Sequence, residues 1–155
     1  MDRSPEDIGG GQPVVPALAE VALALDSDGS RIAHARDLAA AFLDEVEHAH
    51  GIPVVTTTVE IVQLIVSELV TNARKYAPGP AVLHLRIVGT TLQVGLWDSN
   101  PVLPVAKSPD PERIGQHGLE IVAALAQSLT VEPTPVGKRV TARVALCPAG
   151  TASTN

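Results

Sequence analysis

The 155-residue sequence has few aromatic residues, almost no cysteine and no excess of positive charge. It holds one Trp, one Tyr and one Phe, so its core has to be built from aliphatic contacts between helices and sheet. A single cysteine, Cys147, excludes an intrachain disulfide and a cysteine-rich metal site, and it suits a reducing cytoplasm. The formal net charge of -6, without any run of Lys or Arg, argues against non-specific binding to nucleic acid or to an anionic membrane.

Long hydrophobic runs are also missing. No apolar stretch approaches the roughly 18 to 20 residues that a membrane span requires. The acidic, glycine-rich start "MDRSPEDIGGGQP" lacks the apolar segment of a signal peptide, so we expect a soluble, cytoplasmic chain. The length fits one domain, predicted over residues 17–147, with a flexible arm over residues 1–16 and a flexible tail over residues 148–155.

The first half of the sequence predicts one strand and two helices. Residues 21–25 are typical of a short strand, and Ser30 is a good N-cap for a helix that ends near Gly51, just before Pro53. A second helix is predicted over residues 57–76, where "APGP" stops it.

The second half predicts two hairpins around one more helix. "AVLHLRIVGTTLQVGLWDSN" contains two alternating apolar runs that meet at "VGTT". A proline-rich loop is expected over residues 101–117, a helix from Gly118, and a closing hairpin around Gly137. This order predicts an α+β fold, a two-layer sandwich in which helices cover one face of a mixed, mostly antiparallel sheet.

The second helix carries the first candidate site, in "SELVTNARKYA" (residues 67–77). Residues four apart are separated by about 40° around a helix, so Glu68 and Asn72 share one stripe, which borders apolar residues and not the fully polar face. Burying a carboxylate beside an amide is costly unless both find partners. Backbone hydrogen bonds at the sheet edge would supply partners, and so would a hydrated Mg²⁺, which takes oxygen ligands. Spacing alone leaves both arrangements open.

Two further motifs follow in order. "LWDSNP" ends a strand at Asp98, where a carboxylate can accept from an exocyclic amine or can simply mark a turn. In "IGQHGLEIV", Gly115 and Gly118 stand at the predicted start of a helix, where free N–H groups favour phosphate, although such glycines also serve as helix caps. His117 is a candidate phosphate contact or an exposed loop residue.

This combination, in this order, resembles the GHKL ATPase superfamily of histidine kinases and type II topoisomerases, and most of all its compact bacterial anti-sigma-factor serine/threonine kinases. "SELVTNARKYA" is similar to that family's N box, "WDSNPVLP" to a degenerate first glycine box, "GQHGLEIVAALA" to the second box and "GKRVTARV" to the last strand. The resemblance covers roughly residues 21–146. It implies a Bergerat fold with ATP and Mg²⁺ held between the helices and the proline-rich loop.

The resemblance also implies roles for individual residues. Glu68 would be the general base, Asn72 the Mg²⁺ ligand and Lys75 a neighbour of the phosphates. Asp98 would bind the adenine amino group. The remaining positions assigned to the nucleotide are Asn100, Gly115, His117, Gly118, Leu119 and Thr141.

The sequence departs from the family's pattern in two motifs. The first glycine box usually reads Asp-x-Gly-x-Gly, whereas Asn100 and Val102 hold the glycine positions in this sequence. A threonine near the last strand often completes the adenine pocket. Arg139 stands at that place, and Thr141 follows on the same side of the strand as a substitute.

The function implied by the resemblance is that of a partner-switching protein kinase. Such a protein transfers the γ-phosphate of ATP to a serine or threonine of an antagonist protein and sequesters a sigma factor or similar regulator, and it can form a homodimer. The degenerate first glycine box keeps an alternative open: a non-catalytic module that sequesters a protein and binds nucleotide weakly or not at all. A third hypothesis is an ATPase that serves a two-component or small-GTPase system.

Overall fold

The computed structural model describes residues 16–25, 31–76, 79–100 and 114–146. These residues form strands and helices in the predicted order. The predicted tail, nearly all of the predicted arm, the N-cap Ser30 and residues 101–113 lie outside the described residues. The elements are β1 (Ala19–Leu25), α1 (Arg31–His50), α2 (Thr56–Tyr76), β2 (Ala81–Val88), β3 (Thr91–Asp98), α3 (Ile114–Leu125), β4 (Ser128–Pro133) and β5 (Lys138–Ala145).

The described strands form one open sheet in the order β1-β2-β3-β5-β4. All four pairings between described strands are antiparallel. The sheet was predicted to be mixed and mostly antiparallel, and no parallel pair is found among the described strands. Burial alternates along the strands, as it does in β2, where every second residue from Ala81 to Ile87 is buried. The α+β fold with helices on one face of the sheet is confirmed.

An aliphatic core joins the helices to the covered face of the sheet. α2 is the central helix, because it packs against α1, α3, β3 and β5. The largest fully buried side chains are all Leu, Ile or Val, as the shortage of aromatic residues requires. Each contributes about 1.5–3 kcal/mol by leaving water. None of the described helices has the length and apolarity of a membrane span.

The third helix begins earlier than the glycine pattern predicts. α3 starts at Ile114, so Gly118 lies in its second turn and not at its start. A glycine inside a helix costs about 1 kcal/mol relative to alanine. A packing reason for this glycine is found in α2, where Glu68 faces it.

Candidate functional site

The carboxylate of Glu68 lies against the second turn of α3. A Cβ atom placed on Gly118 would lie 2.9 Å from Glu68 Oε1 and 3.8 Å from the Glu68 carbonyl oxygen. Close-packed interiors do not accommodate an approach of 2.9 Å between a Cβ and an oxygen, so Glu68 can keep this position only because residue 118 has no side chain. The glycine-rich motif and the helical motif predicted from the sequence therefore meet at this contact.

Glu68 and Asn72 lie one turn apart on α2, and both are half-buried. Within the described ranges, neither side chain makes a hydrogen bond or an ion pair. The backbone hydrogen bonds that the sequence left open for this pair are therefore not found in that part of the chain. A carboxylate and an amide on one stripe present oxygen atoms of the kind that a hydrated Mg²⁺ takes. The donor set fits the metal implied by the resemblance.

Lys75 lies in the last turn of α2, three residues beyond Asn72 and thus on the same side of the helix. Its side chain is exposed, as is that of the neighbouring Arg74, which projects about 100° away around the axis. An ammonium group on a long, exposed stem can reach an anion held beside Asn72.

Asp98 ends β3 on the helix-covered face, where it is only 2% exposed. Its Oδ1 accepts two hydrogen bonds, one from Lys138 Nζ at 2.9 Å and one from the Asn100 backbone N–H at 2.9 Å. Lys138 Nζ also donates to the Asn100 carbonyl oxygen, at 3.1 Å. Glu68 lies on α2 and Asp98 ends β3, so the two carboxylates come from different layers of the fold.

Lys138 is the residue that the sequence reasoning missed. A lysine in register with buried apolar residues needs a carboxylate partner, and the strand register places Lys138 directly opposite Asp98. The alternation along β5 was the signal that could have revealed it. The buried residues of that alternate set are Lys138, Val140, Ala142 and Val144.

The turn between β4 and β5 is pressed onto the end of β3. A Cβ atom on Gly137, which has a φ of 97°, would overlap the carbonyl oxygen of Asp98. On the other face, Trp97 Nε1 donates to Thr134 Oγ1 at 3.1 Å and to the Val136 carbonyl oxygen at 2.7 Å. The start of β5 is therefore fixed beside the end of β3 from both faces of the sheet.

Thr141 is not brought to the candidate site. It lies opposite Gly95, on the face of the sheet that no described helix covers, and its Oγ1 is 3.7 Å from the Cβ position of that glycine. Because side chains alternate along a strand, Arg139 shares this outer face, whereas Lys138 and Asp98 point toward the helices. The placement separates Thr141 from the predicted adenine-binding carboxylate by the thickness of the sheet.

The beginning of α3 offers N–H groups, but not from all of the predicted residues. The first four N–H groups of a helix, those of the N-cap and of the first three helical residues, have no partner within it; in α3 they include the N–H group of Gly115. In a regular helix that begins at Ile114, the N–H groups of His117, Gly118 and Leu119 donate to carbonyls one turn earlier. Leu119 is half-buried and packs against the hydrophobic core. Among the predicted residues, Gly115 is therefore the best placed backbone donor for a phosphate.

Comparison with known proteins adds a family and a fold. The family model of the histidine kinase-like ATPase domain matches residues 29–144. No curated protein matches the sequence significantly. Among solved structures, the chain is similar to the RsbU and RsbW domains of Rv1364c from Mycobacterium tuberculosis, with a TM-score of 0.61 and 17% identity. The similarity covers 83% of this chain and 32% of that longer chain, and at this identity it describes the fold alone.

Proposed function

Because the chain belongs to the histidine kinase-like ATPase family, we propose that it binds ATP with Mg²⁺ and transfers the γ-phosphate to a serine or threonine of an antagonist protein in the cytoplasm. The observation that carries this proposal is the Glu68 carboxylate, which is half-buried, lacks a partner within the described ranges and lies against α3, one turn from Asn72. A positioned carboxylate is what a hydroxyl acceptor needs as a general base.

In the proposed transfer, the acceptor hydroxyl oxygen bonds to the γ-phosphorus while the bond to the β–γ bridging oxygen breaks and ADP leaves. Glu68 takes the hydroxyl proton. Mg²⁺ supplies charge neutralisation at the phosphate oxygens when it is bound, and the Asn72 amide oxygen is its candidate ligand. Lys75 and the backbone N–H group of Gly115 bind the phosphates. Positioning and charge neutralisation account for most of the catalysis in such a reaction.

The proposed partners are proteins. The solved structure similar to this chain contains an RsbW domain, and the sequence resembles the anti-sigma-factor kinases. By analogy, we propose that the chain sequesters a sigma factor or similar regulator in one state and phosphorylates the antagonist in another. The net charge of -6 supports a protein partner over a nucleic acid, whose backbone would be repelled.

The proposal is tested by adding the purified chain, Mg²⁺ and γ-labelled ATP to a lysate of the native host and then mapping labelled serines and threonines. Glu68→Ala should lower the labelling at least about 100-fold, because the acceptor loses its general base. Calorimetry should show a change in ATP affinity of less than about threefold, because Glu68 acts on the acceptor and not on the nucleotide.

Glu60→Ala is the matched control, since Glu60 is an exposed carboxylate on the same helix. The Glu60→Ala variant should label the acceptor protein to the same extent as the unmodified chain. Undiminished labelling with Glu68→Ala would contradict the general-base role. Absence of ATP binding at millimolar nucleotide would contradict the proposed function as a whole and would favour sequestration without nucleotide.

A further inference from the structure

The buried ion pair between Asp98 and Lys138 bears on nucleotide binding, and the inference drawn from it rests on the proposed function. We propose that Lys138 competes with the nucleobase for the Asp98 carboxylate. Lys138 satisfies this carboxylate in the nucleotide-free chain, so it lowers both the affinity for ATP and the selectivity for the adenine amino group.

The first support is the burial of both charges. The side chain of Lys138 is 7% exposed and that of Asp98 is 3% exposed, with 2.9 Å between Nζ and Oδ1. A buried charge is costly unless an opposite charge and hydrogen bonds compensate it. An exocyclic amine is neutral and cannot replace the ammonium charge. A nucleobase must therefore either displace Lys138 at a cost or bind a carboxylate that is already neutralised.

The second support is that one of the two oxygens of the Asp98 carboxylate already accepts hydrogen bonds from the protein. Oδ1 already accepts from Lys138 Nζ and from the Asn100 N–H. Both of the hydrogen bonds that described residues donate to Asp98 go to Oδ1, which leaves Oδ2 as the oxygen to accept from an amine. Hydrogen bonds to an ionised acceptor are about twice as strong as neutral ones. Much of that strength is lost when a buried ammonium already balances the charge.

The third support is the rigidity of the strand that carries the ammonium. Lys138 is the first residue of β5 and lies opposite Asp98 in the strand register. The turn before it is held by the close approach of Gly137 to Asp98 and by the two hydrogen bonds of Trp97. Substitution of Lys138 can therefore change the charge at Asp98 without freeing the strand.

The first experiment compares Lys138→Met with Arg139→Met, the matched loss of a cation on the opposite face. Calorimetry with Mg-ATP should show an affinity about tenfold higher for Lys138→Met, because Asp98 regains a full charge-assisted hydrogen bond. The melting temperature without nucleotide should fall by about 10 °C, because the carboxylate loses its counter-charge. If Lys138 had only a structural role, Lys138→Met would lower both the affinity for Mg-ATP and the melting temperature. Arg139→Met should change the affinity by less than about twofold.

The second experiment needs only the unmodified chain and so does not depend on the folding of a variant. It compares ATP with the purine ribonucleoside triphosphate that lacks the 6-amino group. Because Lys138 occupies Asp98, the dissociation constants should differ by less than about threefold, whereas a site that fully bonds the amine rejects such an analogue by orders of magnitude. In Lys138→Met, the dissociation constant of the analogue should exceed that of ATP by more than about tenfold.

Two results would overturn the inference while leaving ATP binding in place. One is weaker ATP binding by Lys138→Met, which would show that the ammonium helps to hold the base. The other is a discrimination of about 100-fold or more against the analogue in the unmodified chain. If neither the unmodified chain nor Lys138→Met binds any nucleotide, the proposed function fails, and the inference fails with it.

Discussion

At Gly118, the space that a side chain would fill is occupied by the Glu68 carboxylate, 2.9 Å from the Cβ position. The nearest atom is the far end of a flexible side chain, whereas the Glu68 backbone oxygen is 3.8 Å away. A methyl group at this position would therefore move the carboxylate and leave the backbone of both helices in place. Substitution of Gly118 by alanine should therefore impair catalysis strongly while changing the stability of the fold little.

We predict that Gly118→Ala lowers phosphotransfer about 100-fold, because a displacement of about 1 Å is enough to misalign a catalytic group. The free energy of unfolding should change by less than about 1 kcal/mol, because alanine gains helix propensity that offsets the local crowding. Labelling of the acceptor protein and urea denaturation measure the two quantities.

Gly95→Ala is the control for this substitution. A Cβ atom there would lie 3.7 Å from Thr141 Oγ1, an ordinary contact on the outer face of the sheet. Phosphotransfer should be unchanged. If Gly118→Ala transfers phosphate at the original rate, the position of Glu68 against α3 does not matter for the reaction.

The placement of those candidate residues that belong to local motifs could be predicted from the sequence. Helical spacing puts Glu68 and Asn72 on one stripe, and the alternating pattern puts Asp98 at the end of a strand, whereas their roles in a site come from the family resemblance alone. Lys138 and Thr141 depend instead on which face of β5 each residue occupies. A shift of one residue in strand register exchanges the two faces, and the pairing of β3 with β5 joins segments far apart in the sequence. Local patterns could not settle that register.

At the scale of secondary-structure elements, the β4–β5 hairpin depends on one indole. The N–H group of Trp97 donates to Thr134 Oγ1 and to the Val136 carbonyl, and the Thr134 hydroxyl itself donates to that carbonyl at 2.8 Å. These bonds close a small network between β3 and the turn. The turn is therefore tied to the sheet by side chains as well as by strand pairing.

We predict that Trp97→Phe lowers the free energy of unfolding by about 1–2 kcal/mol, because a smaller aromatic ring remains but the N–H donor is lost. Urea denaturation measures this change, and hydrogen exchange should become faster at the amides of Thr134, Val136 and Gly137. Thr134→Val is the comparison and should cost less, since the Val136 carbonyl still accepts from the indole. An unchanged urea midpoint for Trp97→Phe would show that the network does not stabilise the hairpin.

Most boundaries of the elements could be predicted because glycine and proline mark the turns. The first helix ends at His50, and Gly51 follows it with a φ of 69°, a conformation that favours glycine. The start of α3 was predicted wrongly because Gly118 is typical of a helix start. The glycine is retained there by contact with Glu68, a tertiary constraint that local sequence does not show.

At the scale of the whole molecule, the candidate site draws on both layers. Glu68 and Asn72 come from the helical layer, whereas Asp98 and Lys138 come from the sheet. A ligand that contacts both groups joins the two layers. Because such a ligand binds only the folded chain, its binding free energy adds to the free energy of unfolding.

We predict that Mg-ATP raises the melting temperature in a concentration-dependent manner. At a nucleotide concentration about 100 times the dissociation constant, the stabilisation should be about 2.7 kcal/mol, which corresponds to a rise of roughly 5–10 °C for a chain of this length. Differential scanning calorimetry measures the shift, with Mg²⁺ alone as the control. Asn72→Ala should reduce the rise at equal nucleotide concentration, and a melting temperature insensitive to Mg-ATP would contradict the proposed binding.

Trp97 is the only tryptophan of the chain and lies on the face of the sheet opposite to Asp98, its neighbour in sequence. Its emission therefore arises from a single ring that touches the β4–β5 turn. A base bound on the helical side cannot stack on this ring, so direct quenching does not obscure the signal. The chain thus carries its own optical label, with which movement of the turn can be followed in a stopped-flow fluorimeter without an added dye.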